Sequence, residues 1–277
     1  MGGPIRKAAV AGSWYPADPE QLAEELEGYL GAVDMPAVAG QLVALVSPHA
    51  GLRYSGPVAA HGYSLLRGRG ELTAVLVGPS HRVPFDGVAA CARGAFETPL
   101  GTIPIDEGLA AELLAADPVI TDAPGLHRGE HSLEMQLPFL RHLVPGLRIV
   151  PLMMGSQSRQ EVDALASALS RVLPGRSALL IASSDLSHYH PAPVAHRLDA
   201  SVVEDVRAFD AEALMQRLER SHEHACGGGP MVAVMRTALS LGANRGVVLR
   251  YADSGDAGER DKSRVVGYLS AALVAAP

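Results

Sequence analysis

Apolar residues along this chain form two alternating kinds of run. The first kind is short and continuous: Val43-Ala44-Leu45-Val46, Ala74-Val75-Leu76-Val77 and Ala178-Leu179-Leu180-Ile181-Ala182. Four or five apolar residues without polar alternation is the pattern of a strand covered on both faces, as in a parallel sheet. The second kind recurs every three or four residues. Leu22, Leu26 and Leu30 form such a stripe over 19–30, with Asp18 placed to cap it and Pro19 at its first position. Apolar residues at 162, 165, 166, 169, 172 and 173 predict a helix over 160–173. The same reading predicts strands near 42–47, 72–78, 86–92, 148–154, 178–183, 246–251 and 264–273. Further helices are expected over 55–66, 106–114, 133–143, 193–208, 210–220 and 230–241, with Pro138 starting or kinking its helix. Strands and helices alternate throughout, with no internal repeat and no long linker. The expectation is one α/β domain over 1–277, with a central, mostly parallel mixed sheet flanked by helices.

Each of the three continuous runs ends in a short polar turn. They lead into Ser47-Pro48-His49, Gly78-Pro79-Ser80-His81 and Ser183-Ser184-Asp185-Leu186-Ser187-His188. Ligands of parallel sheets gather outside the carboxyl ends of the strands. If the three strands share a sheet, His49, His81, Asp185 and His188 fall on one rim. A stiff Pro-containing turn holds an imidazole in one place, as a metal requires. The plainer reading is that each histidine packs at a loop base. Asp185 and His188 are three apart, so Asp185 can ligate a metal or orient a histidine by accepting its N–H, and His188 can ligate or move a proton near neutral pH. An ordinary N-cap followed by a surface histidine is the plainer alternative.

Cys226 is the sharpest single residue. It precedes Gly227-Gly228-Gly229-Pro230, where a helix begins, and a helix N-terminus favours a thiolate. A thiolate is both a metal ligand and a nucleophile; a buried structural cysteine is the plainer reading. His131 and Glu134 share helical spacing and can complete a supporting layer around a site, although capping explains them almost as well. His222, His224 and Cys226 make a conceivable metal clip, but their spacing matches no strong zinc pattern. Cys91, inside an apolar strand, fits a structural role.

Composition narrows the classes. A net charge of −7 with no basic stretch argues against nucleic acid as a partner. The mixed segment 258–262 reads as a solvated loop. Two cysteines cannot scaffold 277 residues, so a reducing cytoplasm is the expected setting. No signal-like apolar segment opens the chain, and no run reaches the roughly 20 apolar residues of a membrane span. A phosphate loop and a Gly-x-Ser-x-Gly nucleophile elbow are both absent.

Together these residues resemble the Memo family, protein B of the AmmeMemoRadiSam system. The resemblance rests on Ala11-Gly12-Ser13-Trp14-Tyr15, Pro48-His49-Ala50-Gly51, Gly78-Pro79-Ser80-His81, Glu130-His131-Ser132-Leu133-Glu134, Ser183-Ser184-Asp185 with His188, Cys226-Gly227 and Val266-Gly267-Tyr268. It covers nearly the whole chain, in order. It implies a fold similar to class III extradiol dioxygenases, with one metal site carried by His49, His81 and Cys226 and a neighbouring polar pair, Asp185 and His188. Those dioxygenases hold Fe(II) on two histidines and a carboxylate. A cysteine in the third position is softer, suits iron, copper or zinc, and can itself be oxidised. Animal members are linked to motility, phosphopeptide binding and copper-dependent redox chemistry. Bacterial members often neighbour a radical-SAM enzyme, which makes such an enzyme an implied functional partner.

Three functions follow as expectations. In the first, a non-haem metal-dependent oxidoreductase binds one Fe or Cu ion, with Zn as the other choice. His188, oriented by Asp185, moves a proton on an unknown small substrate. In the second, a metal-free cysteine hydrolase uses Cys226 with His188 as base. In the third, an inactive scaffold uses the same pocket for a peptide or anionic ligand; Arg53 and Arg82 can add charge there, though plain surface exposure is the simpler reading of both.

Overall fold

The three continuous apolar runs are neighbouring strands of one sheet. The computed structural model describes residues 3–34, 38–221, 223–257 and 261–276. In chain order the strands are β1 (Ile5–Arg6), β2 (Gln41–Ser47), β3 (Thr73–Pro79), β4 (Val88–Ala90), β5 (Ala95–Thr98), β6 (Gly101–Pro104), β7 (Ile120–Asp122), β8 (Arg148–Met154), β9 (Ala178–Ser183), β10 (His188–His190), β11 (Arg245–Asp253) and β12 (Val265–Ala275). The helices are α1 (Pro19–Gly31), α2 (Leu52–Tyr63), α3 (Glu107–Ala116), α4 (Leu137–Leu143), α5 (Arg159–Val172), α6 (Ala192–Arg207), α7 (Ala211–Arg220) and α8 (Gly228–Ser240).

Among the described residues the main sheet has nine strands in the order β10-β12-β2-β9-β3-β8-β4-β7, with β11 paired to β12. Its centre, β2-β9-β3-β8, is parallel, while β12 and β4 flank it in antiparallel fashion. The parallel strands are buried almost end to end, which is why their sequences show no polar alternation. Helices α1, α2 and α4 pack together, and α3, α5, α7 and α8 form a second group. The mixed, helix-flanked α/β fold expected from the pattern is the fold observed.

Several boundaries differ from expectation for local reasons. Helix α2 begins at Leu52 and takes Pro57 into its interior. Its N-cap, Gly51, has no capping side chain; instead the Leu52 N–H donates to the Trp14 carbonyl at 2.8 Å. Pro138 starts its helix and sits in the first turn of α4, after a 3-10 turn at Glu134–Gln136. Five strands without a sequence signal appear: β1, β5, β6, β7 and β10. Each has only two to four residues, too few to show a period. Three of them form a separate small sheet, β1-β5-β6. No helix among the described residues is long and apolar enough to cross a membrane.

Register decides where the chemistry goes. Ser47 of β2 lies opposite Ser183 of β9, and Val77 of β3 opposite Ala182. The turns bearing His49, His81 and Asp185 therefore leave the sheet side by side. Helix α8 packs on β2, β3 and β9, which brings Cys226, two residues before its start, to the same rim.

Candidate metal centre

His49 is almost fully buried, at 1% exposure, and its ring has one defined partner on each side. The Ser183 hydroxyl donates to the Ser132 carbonyl at 2.6 Å, so toward His49 Nδ1, 2.9 Å away, it acts as acceptor. That assignment places the ring proton on Nδ1 and leaves the Nε2 lone pair facing Cys226 Sγ at 3.2 Å. Burial, reinforced by the nearby His81 and His131 rings, holds the His49 pKa well below its ordinary range, so the imidazole is neutral.

His81 is fixed by Glu130. Its backbone N–H donates to Glu130 Oε2 at 2.6 Å, and its ring Nδ1 donates to Oε1 at 3.0 Å. The other ring nitrogen, Nε2, is left for a ligand role, in the carboxylate–histidine arrangement that orients metal ligands. Glu130 Oε1 also accepts the N–H groups of His131 and Ser132, each at 2.9 Å. Burial opposes ionising this carboxyl, but the hydrogen bonds from His81 and Ser132 outweigh it and hold the pKa far below the usual carboxylate range. His131 stacks on His81 with ring centroids 4.5 Å apart, and Trp14 covers His131 at 4.3 Å. Burial lowers the His131 pKa to about 4 against the pull of Glu130, so this ring too is neutral.

Cys226 is held against the same rim. Its N–H donates to the Asp185 carbonyl at 3.2 Å, and its Sγ lies 3.6 Å from that oxygen. Its thiol pKa is raised, first by burial and then by the Asp185 charge. The lowering expected from the α8 dipole is thus overridden by desolvation. The ligand atoms of His49, His81 and Cys226 all lie within 4.8 Å of one another, a group able to hold a metal ion. Two imidazoles with Nδ1 engaged elsewhere and one sulfur form a chemically coherent donor set. His81, Glu130 and His131 also fall within 4.8 Å of one another, but the Glu130 oxygens already accept four N–H groups.

The remaining sequence candidates find different work. Asp185 does not accept an N–H from His188. Its Oδ1 takes the backbone N–H groups of His49 at 2.7 Å and Ala50 at 3.3 Å, pinning the His49 turn. Burial raises the Asp185 pKa, opposed by the charge of nearby His188 and by those two donors. His188 Nδ1 donates instead to the Leu186 carbonyl at 2.8 Å. The imidazole against the Cys226 sulfur is His49, at 3.2 Å. Glu134 is fully buried and engaged by the Arg6 guanidinium, the N–H groups of Ala9 and Val10, and the Tyr15 hydroxyl at 2.6 Å. It anchors the N-terminal segment that carries Trp14. His224 packs against the Leu198 carbonyl at 3.4 Å, and His222 lies outside the described residues. The sequence reading missed Glu130 and Ser183, although each stands beside a motif residue it had singled out.

With this geometry in place, comparison with known proteins is decisive for the family. A family model described as Memo-like protein matches residues 6–272. The chain belongs to the Memo family. A MEMO1 family protein of Methanopyrus kandleri is 39% identical over 276 residues, covering 96% of this chain and 97% of the relative. MEMO1 family proteins of Methanothermobacter thermautotrophicus and Sulfolobus acidocaldarius are 37% and 36% identical, each covering at least 95% of this chain and 98% of the relative. Among solved structures, an uncharacterized protein from Escherichia coli K12 matches with a TM-score of 0.55 at 14% identity, covering 84% of this chain and 100% of that one, a likeness of fold alone. A cavity of about 500 Å³ is lined by Trp14, Gly51, Tyr54, Tyr189, Arg264 and Tyr268, among others. Tyr189, at φ +62°, is an exposed aromatic in a left-handed conformation, and Arg264 lies 5.3 Å from its ring centre.

Proposed function

We propose that this Memo protein holds one transition-metal ion on His49, His81 and Cys226 and performs redox chemistry of dioxygenase type on a small substrate. The ion is iron or copper, with zinc as the alternative. One observation carries the proposal: three donor atoms from three distant segments meet within 4.8 Å, and both imidazoles already have Nδ1 committed elsewhere. Bound there, the ion would supply electron transfer and Lewis acidity. Ser183 and Glu130 keep the two rings aimed. Asp185 holds the His49 backbone. The Cys226 proton must leave when an ion binds, so metal uptake releases a proton and weakens at low pH. His188 accepts or returns a proton through Nε2, its Nδ1 being tied to the Leu186 carbonyl. Trp14 and the ring of His131 screen one side of the centre from water. A reducing cytoplasmic setting, from the sparse cysteines, and a functional link to a radical-SAM enzyme, from the family resemblance, belong to the same reading.

Anaerobically purified protein is expected to carry about one metal ion per chain. His49→Ala or His81→Ala should lose it, as read by elemental analysis, and full retention in both variants would dismiss the assignment. The aromatic and arginine-lined cavity supports a second reading, a binding protein for a peptide or anionic ligand. Ligand capture that survives removal of both histidines and Cys226 would favour that reading over the first.

A further inference from the structure

Cys226 sits just before α8, whose N-cap is Gly227, a residue with no side chain to satisfy the first-turn N–H groups. One of those orphan donors, the Gly229 N–H, is taken instead by a side chain from another loop: Gln157 Oε1, at 2.9 Å. The same amide turns its other end to the cysteine, with Nε2 donating to the Cys226 carbonyl at 2.8 Å. A single side chain thus caps α8 and grips the backbone of Cys226. The other side of the cysteine is held by its N–H to the Asp185 carbonyl, and the next residue by Gly227 N–H to Ser184 Oγ at 2.9 Å.

The surroundings are shaped for this grip. A Cβ on Gly229 would stand 2.7 Å from Gln157 Cβ, and one on Gly227 would run into the Ser183 carbonyl. The glycines after Cys226 therefore let the Gln157 loop and the end of β9 close on it from two sides. Gln157 itself has φ +55°, a left-handed conformation that glycine or asparagine adopts more readily. Such a conformation persists where the surroundings over-determine it, and it clusters at functional sites. Asparagine would relieve the strain but is one methylene shorter, and glycine has no amide at all. Only the longer side chain spans both partners.

We propose that Gln157 is a positioning residue for Cys226, fixing the backbone from which its sulfur meets His49 and His81. The proposal rests on the metal reading for its consequence, and on the contacts above for its geometry. Gln157 and Cys226 both line a cavity of about 530 Å³ bounded by Met215 and Leu218.

The test compares wild type with Gln157→Gly and Gln157→Asn, both of which relax the backbone and abolish the two-ended bridge. Three quantities are read: the unfolding midpoint, the sulfur-to-metal charge-transfer band after cobalt(II) loading, and the iodoacetamide alkylation rate of Cys226 in metal-free protein, located by mass spectrometry. Expected is an unfolding midpoint close to wild type, a charge-transfer band shifted or at least halved, cobalt affinity lower by about tenfold, and alkylation several-fold faster. A variant that folds with the wild-type band, affinity and alkylation rate overturns the proposal. If wild type itself shows no charge-transfer band, the metal reading fails, and the alkylation rates alone decide: faster in the variants supports positioning, unchanged sinks it. Gln157→Asn retains a residue suited to the left-handed turn, so the test stands if Gln157→Gly does not fold.

Discussion

Glu130 and Glu134 are four residues apart and built alike, yet they serve different parts of the molecule. Both are buried, and both spend their oxygens on several donors at once. The donors to Glu130 are the backbone and ring of His81 and the N–H groups of His131 and Ser132. Those to Glu134 are the Arg6 guanidinium, the N–H groups of Ala9 and Val10, and the Tyr15 hydroxyl. The first carboxylate aims a ring at the candidate metal position. The second fastens the N-terminal segment, and through it Trp14, over His131. The difference teaches that a buried carboxylate takes its role from its donors. The capping-box spacing of this segment says only that such a group is present.

The largest expected effect separates the two on stability. Glu134→Gln leaves the Arg6 guanidinium, 8% exposed, without its counter-charge. Orphaning a buried charge costs about 3–5 kcal/mol, measurable by urea unfolding of metal-free protein. A loss under about 1 kcal/mol would show that Glu134 is not the anchor described. A pH effect next to the same anchor comes second. His127, whose carbonyl accepts the Arg6 Nε–H, has its pKa lowered from 6.5 to about 4, chiefly by burial. The folded protein therefore takes up this proton less readily than the unfolded chain. Its contribution is full above pH 6.5 and is lost progressively as pH falls toward 4, by about 3 kcal/mol at most. His127→Gln, which keeps a donor for the Ala89 carbonyl, should flatten the stability profile between pH 7 and 4.5; an unchanged slope would mean that other groups set it. The smallest effect belongs to Glu130→Gln. It orphans no buried cation, so its stability cost should be well below that of Glu134→Gln. Metal affinity should fall about ten- to hundredfold in a chelator competition. Equal loss of metal from both glutamate variants would erase the distinction between them.

The sheet and its rim were legible because an unbroken run of four or five apolar residues between polar turns suits a strand covered on both faces, and because each run ended in a Pro- or Ser-rich turn bearing His49, His81 or Asp185. The supporting contacts were less so. His131 and Glu134 were readable as a helical pair, but the choice of Glu130 for His81 depends on a turn that folds back across 49 residues. Asp185 carried the right residue with a different partner: backbone N–H groups across the β2–β9 register instead of the imidazole three residues on. Gln157 left no trace, since its left-handed backbone and its reach to Cys226 exist only once three loops converge. The pattern sets the start of α2 at 55 where the structure has Leu52, because the contact that sets the start comes from Trp14.

Strand order has a consequence for how this protein is made. β9 lies between β2 and β3 although it is synthesised long after both. A nascent chain that has emerged only through β8 has its two early histidines but neither the strand that separates them nor the later sulfur. The candidate His49–His81–Cys226 group therefore comes together only late in synthesis, when the last long-range pairings close.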